Sequence, residues 1–330
     1  MASGCSCPGE LEGGRAVDPW SEMLVTAIQG ISPRVVSVSA VDAHKTQAAL
    51  ATGLCVDGQH VLTHSPLYTP GDTLAVVFAD GQRFEASLAA ADALYYLALL
   101  RLRGEVALEP LRVVPAEEIR PGLLVAAVGN QLGIAPGATL GVVSEPDRTI
   151  YRPERFPVDG LVLTDAAVHM GNIGGPLITL DGAVVGINAI PYVNGLNLCV
   201  QAGVILRLVA QMLRYGRATH PWLGFSGQTE IVPPAMAALL DIPARRGVAV
   251  SDVAADGPGH RAGVRPFDMV VRMDAKPVDS LGAIRRVLAD KRPGERGVLT
   301  VLRGSELCDL ELPVEEMPRL AASPWSDPPG

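Results

Sequence analysis

The sequence predicts a mostly β protein, and three observations support this fold class. Short runs rich in Val, Leu and Ala follow one another from residue 34 to residue 189. Turns containing Gly, Asp or Pro, such as "DGQH", "PGD" and "DGQR", separate these runs. A similar pattern restarts after residue 220, now with helical stretches between the runs. Strands at this spacing are typical of an antiparallel barrel or sandwich, followed here by a second, α+β domain.

The first domain is predicted to open with a short helix over residues 19–34, ending near Pro33. Ten strand-like runs follow, and in chain order they are "RVVSVSA", "ALATGLCV", "HVLTH", "TLAVVFA", "RFEASLA", "YLALLRL", "LLVAAVG", "ATLGVVSE", "LVLTDA" and "AVVGINA". The clearest helix spans 203–216 and ends at Gly216. Its predicted buried face contains Ile205, Val209, Met212 and Leu213.

The second domain is predicted from the strands "HPWLGFSG", "GVAVSDV", "DMVVRM", "GVLTVLRG" and "LCDLELPV". Two helices are expected between them, "PPAMAALLD" and "SLGAIRRVLADK". We therefore expect a flexible tail over 1–18, a first domain over 19–217, a second over 218–315 and a disordered tail over 316–330.

Composition, charge and the lengths of the apolar runs argue against several classes of function. The net charge is −8 without any block of like charges, which argues against nucleic-acid binding, because that needs a basic stripe. No apolar run approaches the roughly 18 residues of a membrane span. The N-terminus lacks a basic region followed by an apolar stretch, so we expect a cytoplasmic protein. The five cysteines are scattered, and Cys5 and Cys7 are expected to be free thiols. No metal site or cofactor is predicted.

One turn raises a chemical question. "GNIGGP", residues 171–176, lies within "DAAVHMGNIGGPLITLDGAVVGINAI". Glycine-rich turns of this shape hold a reactive side chain at a bend and aim backbone N–H groups at a developing negative charge. The side chain at the bend here is Ile173, which cannot act as a nucleophile.

Together these motifs resemble the HtrA/Deg family of trypsin-like serine proteases. The resemblance rests on "ATGLCVDGQHVLTH", "AVGNQLG", "GVVSE", the 165–190 stretch and "QMLRYGRATHPWLGFSG". "GVAVSDVAADGPGHRAGVRPFDMVVRMDAKPV" resembles the PDZ domain of that family. The resemblance covers about residues 20 to 315. It implies a chymotrypsin/trypsin-like double β-barrel followed by a PDZ domain.

The resemblance also places the three catalytic positions of the family. The nucleophile position falls on Ile173, the histidine position on Pro66 and the aspartate position on Tyr96. Acyl transfer needs a nucleophilic oxygen, a base and a group that orients the base, and these three side chains supply none of them. A degenerate, inactive site is therefore expected. The backbone of Gly171, Asn172 and Ile173 would keep a remnant oxyanion hole.

Two histidines are the remaining candidates for a base. His64 lies two residues before Pro66, and His169 lies four residues before Ile173. No Ser, Thr or Cys occurs within residues 166–176, so neither histidine has a nucleophile to activate. We expect both to be ordinary loop or half-buried histidines.

The PDZ resemblance implies capture of a protein or C-terminal peptide by strand addition, with a backbone loop that receives the terminal carboxylate. This places the peptide-binding loop and strand at Arg246, Gly247, Val248, Ala249 and Val250. Ile284, Val287 and Leu288 are candidates to line the side-chain pocket. The alternative is that these apolar residues pack only in the domain core.

Three functional hypotheses remain open. The first is a non-catalytic adaptor, scaffold, chaperone or subunit of a larger assembly. The second is an HtrA-type serine endopeptidase, and the third is a regulatory subunit of an active family member. Family members often trimerise through aromatic residues in the region of 18–33, where Trp20 is the only one. Self-association, of which a homotrimer is one form, is expected through this region, unless Trp20 packs on its own barrel.

Overall fold

The computed structural model describes residues 18–41, 47–65, 73–130, 136–151, 157–191, 195–289 and 291–318. Most of the regular structure is β, and two six-stranded closed barrels precede a smaller α+β domain. The predicted fold class is confirmed, and the choice between barrel and sandwich is settled as a barrel. The predicted tails up to residue 17 and from residue 319, and with them Cys5 and Cys7, lie outside the described residues.

An N-terminal helix, α1 (Pro19–Ile31), precedes the first barrel. Asp18 caps it, because its carboxylate accepts the N–H groups of Trp20 and Ser21, each at 3.1 Å. A 3₁₀ turn over Ser32–Arg34 then leads into the first strand. Trp20 is 65% exposed, so the alternative that it packs on its own barrel is wrong.

The first barrel contains six antiparallel strands in the order β1-β2-β3-β6-β5-β4. Their bounds are β1 Val35–Val41, β2 Gln47–Cys55, β3 His60–His64, β4 Thr73–Val77, β5 Arg83–Asp92 and β6 Leu97–Leu102. Alternate side chains on these strands, such as Val36, Val38 and Val76, fill a core with less than 1% exposure.

The second barrel repeats this order as β7-β8-β9-β12-β11-β10. Its strands are β7 Leu124–Gly129, β8 Gly137–Tyr151, β9 Pro157–Thr164, β10 Pro176–Thr179, β11 Val184–Pro191 and β12 Asn197–Gln201. Helix α2 (Ala202–Tyr215) follows, and Gly216 ends it in a left-handed conformation with φ +70°. Ile205, Val209 and Met212 are buried as predicted, but Leu213 is 48% exposed and faces solvent.

The third unit is built around a sheet with the strand order β14-β15-β16-β18-β19, to which β17 adds beside β16. Its strands are β13 Pro221–Trp222, β14 Phe225–Ile231, β15 Arg246–Val253, β16 Met269–Met273, β17 Lys276–Pro277, β18 Arg296–Arg303, β19 Glu306–Pro313 and β20 Glu315–Glu316. Its helices are α3 Pro234–Leu239, α4 Pro258–Arg261 and α5 Leu281–Ala289. Strand β13 pairs with β20, so the two ends of this domain lie together.

None of the helices in the described part of the chain is long and apolar enough to cross a membrane. Within the same residues, His, Cys, Asp and Glu side chains form no group of three or more that could hold a metal ion.

Candidate functional site

The glycine-rich turn with Ile173 lies where the two barrels meet, just before β10. Residues Met170–Asn172 form one 3₁₀ turn, and Ile173 follows in extended backbone with φ −64° and ψ 134°. The Ile173 side chain is 3% exposed and belongs to the apolar core of the second barrel, with Leu177 and Cys199. An aliphatic side chain therefore occupies the third position of the turn, and it lies in the barrel core.

Backbone contacts hold this turn against the first barrel. Thr52 of β2 donates its N–H to the Ile173 carbonyl oxygen at 3.2 Å and its hydroxyl to the Gly171 carbonyl oxygen at 2.5 Å. Gly174 has φ +83°, and an added Cβ would lie 2.2 Å from the Thr52 carbonyl oxygen. A Cβ at Gly175 would lie 2.2 Å from the Val128 carbonyl oxygen. These glycines permit the close backbone approach whatever side chain stands at position 173.

The remnant oxyanion hole was assigned to Gly171, Asn172 and Ile173. The Asn172 N–H donates to the His169 carbonyl oxygen at 2.8 Å, so it is already satisfied within the turn. An anion at this place would therefore depend on the N–H groups of Gly171 and Ile173. The assignment stays a prediction.

The end of β3 and the turn before β6 bring the other predicted positions to the same place. His64 lies against the glycine turn, because a Cβ added to Gly174 would lie only 3.0 Å from the His64 backbone nitrogen. Ser65 donates its N–H to the Tyr96 carbonyl oxygen at 2.8 Å. Tyr96 has φ +56°, and its ring centroid lies 5.9 Å from that of His64. Pro66, the predicted position of the missing histidine, lies outside the described residues.

His64, the last residue of β3, is half-buried beside the turn, whereas His169, which directly precedes the turn, is exposed. Burial lowers the pKa of His64 to about 4, so the ring is neutral at pH 7. Its Nδ1 is buried and has no hydrogen-bond partner among the described residues. A general base in acyl transfer is oriented by a carboxylate at this nitrogen, and nothing in the described residues fills that role.

The carboxylate nearest to Tyr96 along the chain, Asp92, is used elsewhere. Asp92 is 3% exposed and accepts the N–H of Tyr95 at 2.7 Å. Its other oxygen binds the Nε2 of His220, in the linker before β13. This acid therefore connects the first barrel to the linker rather than orienting His64.

In the third unit, the prediction that Arg246–Val250 offers an exposed strand edge is wrong. These residues begin β15, which pairs with β14 on one side from Ile231↔Arg246 to Gly227↔Val250. On its other side β15 pairs with β16 through Val248↔Val270 and Ala249↔Met269. A strand with neighbours on both sides cannot accept an added peptide strand. Sequence reasoning could not separate β14 from β15, because both show strand patterning.

Strands β14 and β19 end the strand order and are the two edges of this sheet, and β14 is the edge that lies against α5. The loop before β14, Trp222–Phe225, is the candidate that the sequence analysis missed. The carbonyl oxygens of Leu223 and Gly224 accept the N–H groups of Gly259 and Ala254. In a trans peptide the next N–H points the opposite way, so the N–H groups of Gly224 and Phe225 point away from these contacts. The signal in the sequence was Gly224, which has φ +78° between apolar residues.

Helix α5 forms the wall opposite β14. Ile284 and Leu288 line a cavity of about 100 Å³ together with Leu223 and Phe225. Ile284 is 5% exposed and Val287 is 7% exposed, and both belong to the core of this unit. The structure thus places Ile284 and Leu288 in the groove between α5 and β14, whereas Val287 packs only in the core.

Comparison with known proteins identifies the architecture. The chain matches the family model described as "Trypsin-like peptidase domain" over residues 51–187 and the one described as "PDZ domain" over residues 225–314. "Periplasmic serine endoprotease DegP" of Escherichia coli (strain K12) is 27% identical over 275 residues. "Probable periplasmic serine endoprotease DegP-like" of Halomonas elongata is 30% identical over 277 residues. The chain belongs to the HtrA/Deg family.

These relatives are longer than this HtrA chain. The match with the E. coli protein covers 81% of the chain and 57% of the relative, and that with the Halomonas protein covers 82% and 57%. The chain therefore spans little more than half the length of these curated relatives. Their names place them in the periplasm and contradict the cytoplasmic location expected from the sequence, so that prediction is wrong.

Two solved protease structures share the fold. "HtrA-type protease AlgW with tripeptide" superimposes with a TM-score of 0.67 at 24% identity, covering 90% of this chain and 98% of that one. "Crystal structure of the serine endoprotease from Yersinia pestis" gives a TM-score of 0.62 at 21% identity, covering 92% and 100%. At these identities the likeness concerns the fold alone.

Proposed function

We propose that this protein is a non-catalytic HtrA member that binds extended peptide segments through its PDZ domain. The observation that carries the proposal is Ile173, an aliphatic residue buried in the core of the second barrel at the nucleophile position of the glycine turn. A nucleophile must have a lone pair directed at the substrate carbonyl carbon, and isoleucine has none.

Two further features support the loss of chemistry. Tyr96 stands at the aspartate position, and the neutral His64 has an unpartnered Nδ1 among the described residues. Asp92, the acid nearest to Tyr96 along the sequence, binds His220 instead. A base without an orienting acid loses several orders of magnitude in rate even when the nucleophile is present.

A serine endopeptidase of the HtrA type is the second candidate, because the curated relatives carry that name. Casein hydrolysis separates the two candidates, with the E. coli relative as the positive control. We expect no hydrolysis by the wild-type chain and no labelling by a fluorophosphonate, which reacts with activated serine. Hydrolysis that co-elutes with the purified wild-type chain would contradict the proposal, and the His64→Ala variant would then show whether His64 is the base.

The peptide-binding part of the proposal rests on the edge strand β14 and on the loop before it. An extended segment would add to β14 and place its C-terminal carboxylate at the N–H groups of Gly224 and Phe225. Ile284 and Leu288 favour an apolar last side chain. Panning a library of C-terminal decapeptides against the full chain tests this. We expect the selected peptides to end in an apolar residue and to lose binding when their C-terminus is amidated.

The proposal includes a periplasmic location, because the names of the relatives place them there. It also includes self-association. Trp20 and Met23 on α1 are 65% and 46% exposed, which leaves an apolar surface for other copies of the chain. Light scattering of wild type and of the Trp20→Ala variant tests this, and a monomeric wild type would contradict it. Affinity purification from native cells tests membership of a larger assembly or association with an active HtrA protease. Fractionation of the same cells tests the location.

A further inference from the structure

The free edge of β14 is already engaged by the trypsin-like domain. Val250 of β15 lies opposite Gly227 of β14. Its N–H donates to the Asp268 carbonyl oxygen and its carbonyl oxygen accepts the Phe267 N–H, so both groups point toward β16. Directly opposed antiparallel residues either exchange their hydrogen bonds or both point away from each other. The N–H and carbonyl groups of Gly227 therefore point to the open edge, where an added strand would bind.

Tyr151, the last residue of β8, fills that position. The Gly227 N–H donates to the Tyr151 hydroxyl at 3.0 Å, and the same hydroxyl donates to the Gly227 carbonyl oxygen at 2.5 Å. One phenol thus satisfies both edge groups of Gly227, as the backbone of a peptide would.

Ion pairs connect α5, the opposite wall of the groove, to the trypsin-like domain. Arg285 on α5 binds Asp147 of β8 at 2.9 Å and Asp159 of β9 at 3.3 Å, and its side chain is 12% exposed. Asp147 also lies against the first turn of α5, where a Cβ on Gly282 would be 2.1 Å from its Oδ2. Tyr95 orients Asp159 by donating its hydroxyl to the Asp159 carboxylate at 3.1 Å.

The space left between these contacts is small. The cavity of about 100 Å³ is lined by groove residues and also by Thr149 and Pro157 of the trypsin-like domain. Binding clefts for small molecules usually hold about 300–1,000 Å³. An extended peptide therefore has no room beside β14 while these contacts are made.

We propose that the trypsin-like domain closes the PDZ groove of its own chain, with Tyr151, Asp147 and Asp159 as the closing residues. This inference rests on the proposed peptide-binding function and specifies its regulation. Peptide binding and domain docking then exclude each other, and a peptide must bind tightly enough to shift the chain toward an undocked state. Docking of the trypsin-like domain thereby lowers the apparent affinity of the PDZ domain for peptides.

The test uses the full chain and substitutions on the closing side only, so that the groove itself is unchanged. Tyr151→Phe removes the hydroxyl, and Asp147→Asn weakens the hold on Arg285. Tyr215→Phe is the matched control, because Tyr215 lies on α2 and is 56% exposed. Amide hydrogen exchange at Gly227 reports the contact without any ligand. We expect roughly tenfold faster exchange in Tyr151→Phe and no change in Tyr215→Phe.

Peptide affinity gives the second measurement. Decapeptides selected from the C-terminal library on the Tyr151→Phe/Asp147→Asn chain should bind that chain about three- to tenfold more tightly than wild type. Unchanged exchange at Gly227 in Tyr151→Phe overturns the closure, whether or not any peptide binds. Equal affinity for both chains also overturns it. If no peptide binds either chain, the peptide-binding function is refuted, and the exchange result alone decides whether Tyr151 covers the edge.

Discussion

The buried pair between Asp92 and His220 makes the stability of the chain depend on pH in a defined direction. Burial opposes ionisation of Asp92, but the charge and hydrogen bond of His220 outweigh it and lower the Asp92 pKa. Burial likewise disfavours the charged form of His220, but Asp92 outweighs it and raises the His220 pKa. Each partner therefore favours the charged form of the other, and the pair joins the first barrel to the linker of the PDZ domain.

The sign of the pH dependence follows from these two directions. Stabilisation by His220 is complete below its unfolded pKa of about 6.5, and it is lost as the pH rises through the raised folded pKa. Stabilisation by Asp92 is complete above its unfolded pKa of about 3.9, and it is lost as the pH falls through the lowered folded pKa. The contribution of this pair is therefore largest between about pH 4 and pH 6.5.

Asp92→Asn is the perturbation that isolates this contribution. Removing one partner from a buried ion pair costs about 3–5 kcal/mol. The asparagine amide oxygen can still accept the Tyr95 N–H, so we expect the lower end, about 3 kcal/mol at pH 6. In the variant His220 is buried without this anion, so the difference in unfolding free energy between wild type and variant should shrink as the pH rises from 6 to 9. Urea unfolding of both chains at pH 6 and pH 9, followed by circular dichroism, measures this difference.

The chain contains a matched control for this experiment. Asp57 and His60 form the same type of pair at 2.8 Å, but the Asp57 side chain is 43% exposed. Asp57→Asn should cost less than about 1 kcal/mol. A double-mutant cycle with His220→Gln then isolates the coupling between His220 and Asp92. The reasoning is refuted if Asp92→Asn costs no more than Asp57→Asn at pH 6, or if its cost grows toward pH 9.

Three further predictions concern single positions. Ile173→Ser should lower the free energy of unfolding by about 3 kcal/mol, because it places a hydroxyl in an apolar core, and it should not create casein hydrolysis. A smaller loss of unfolding free energy in Ile173→Ser than in Ile173→Val would contradict this. Gly174→Ala should destabilise by about 2–3 kcal/mol in urea unfolding, since φ is +83° and the new methyl meets the Thr52 carbonyl. Phe267→Gly should stabilise by about 0.5–1 kcal/mol, because Phe267 is 93% exposed with φ +72°; a lower melting temperature would show that the ring has a partner.

Local patterns predicted most of the elements in the right order, although β12 (Asn197–Gln201) had no predicted run. The run "HVLTH" is β3, and "YLALLRL" contains the turn residue Tyr96 followed by β6. Both could be predicted because the alternation of side chains along a strand is a local property. The edge of the PDZ sheet was misplaced because edge status depends on strand order, which is a non-local property. The partners of Arg285 were missed for the same reason, since Asp147 and Asp159 lie in the other domain. The pattern of α5 would leave Arg285 in solvent.

The glycine turn tolerates an aliphatic residue at its third position because its contacts with the first barrel are made by its backbone. Thr52 binds the carbonyl oxygens of Gly171 and Ile173, and Gly174 and Gly175 allow the close approach. These contacts persist with any residue at position 173, and an aliphatic one adds to the core of the second barrel. If the proposed loss of catalysis is correct, the barrels keep their shape through these backbone contacts, and Tyr151 stays in place to bind Gly227 of β14.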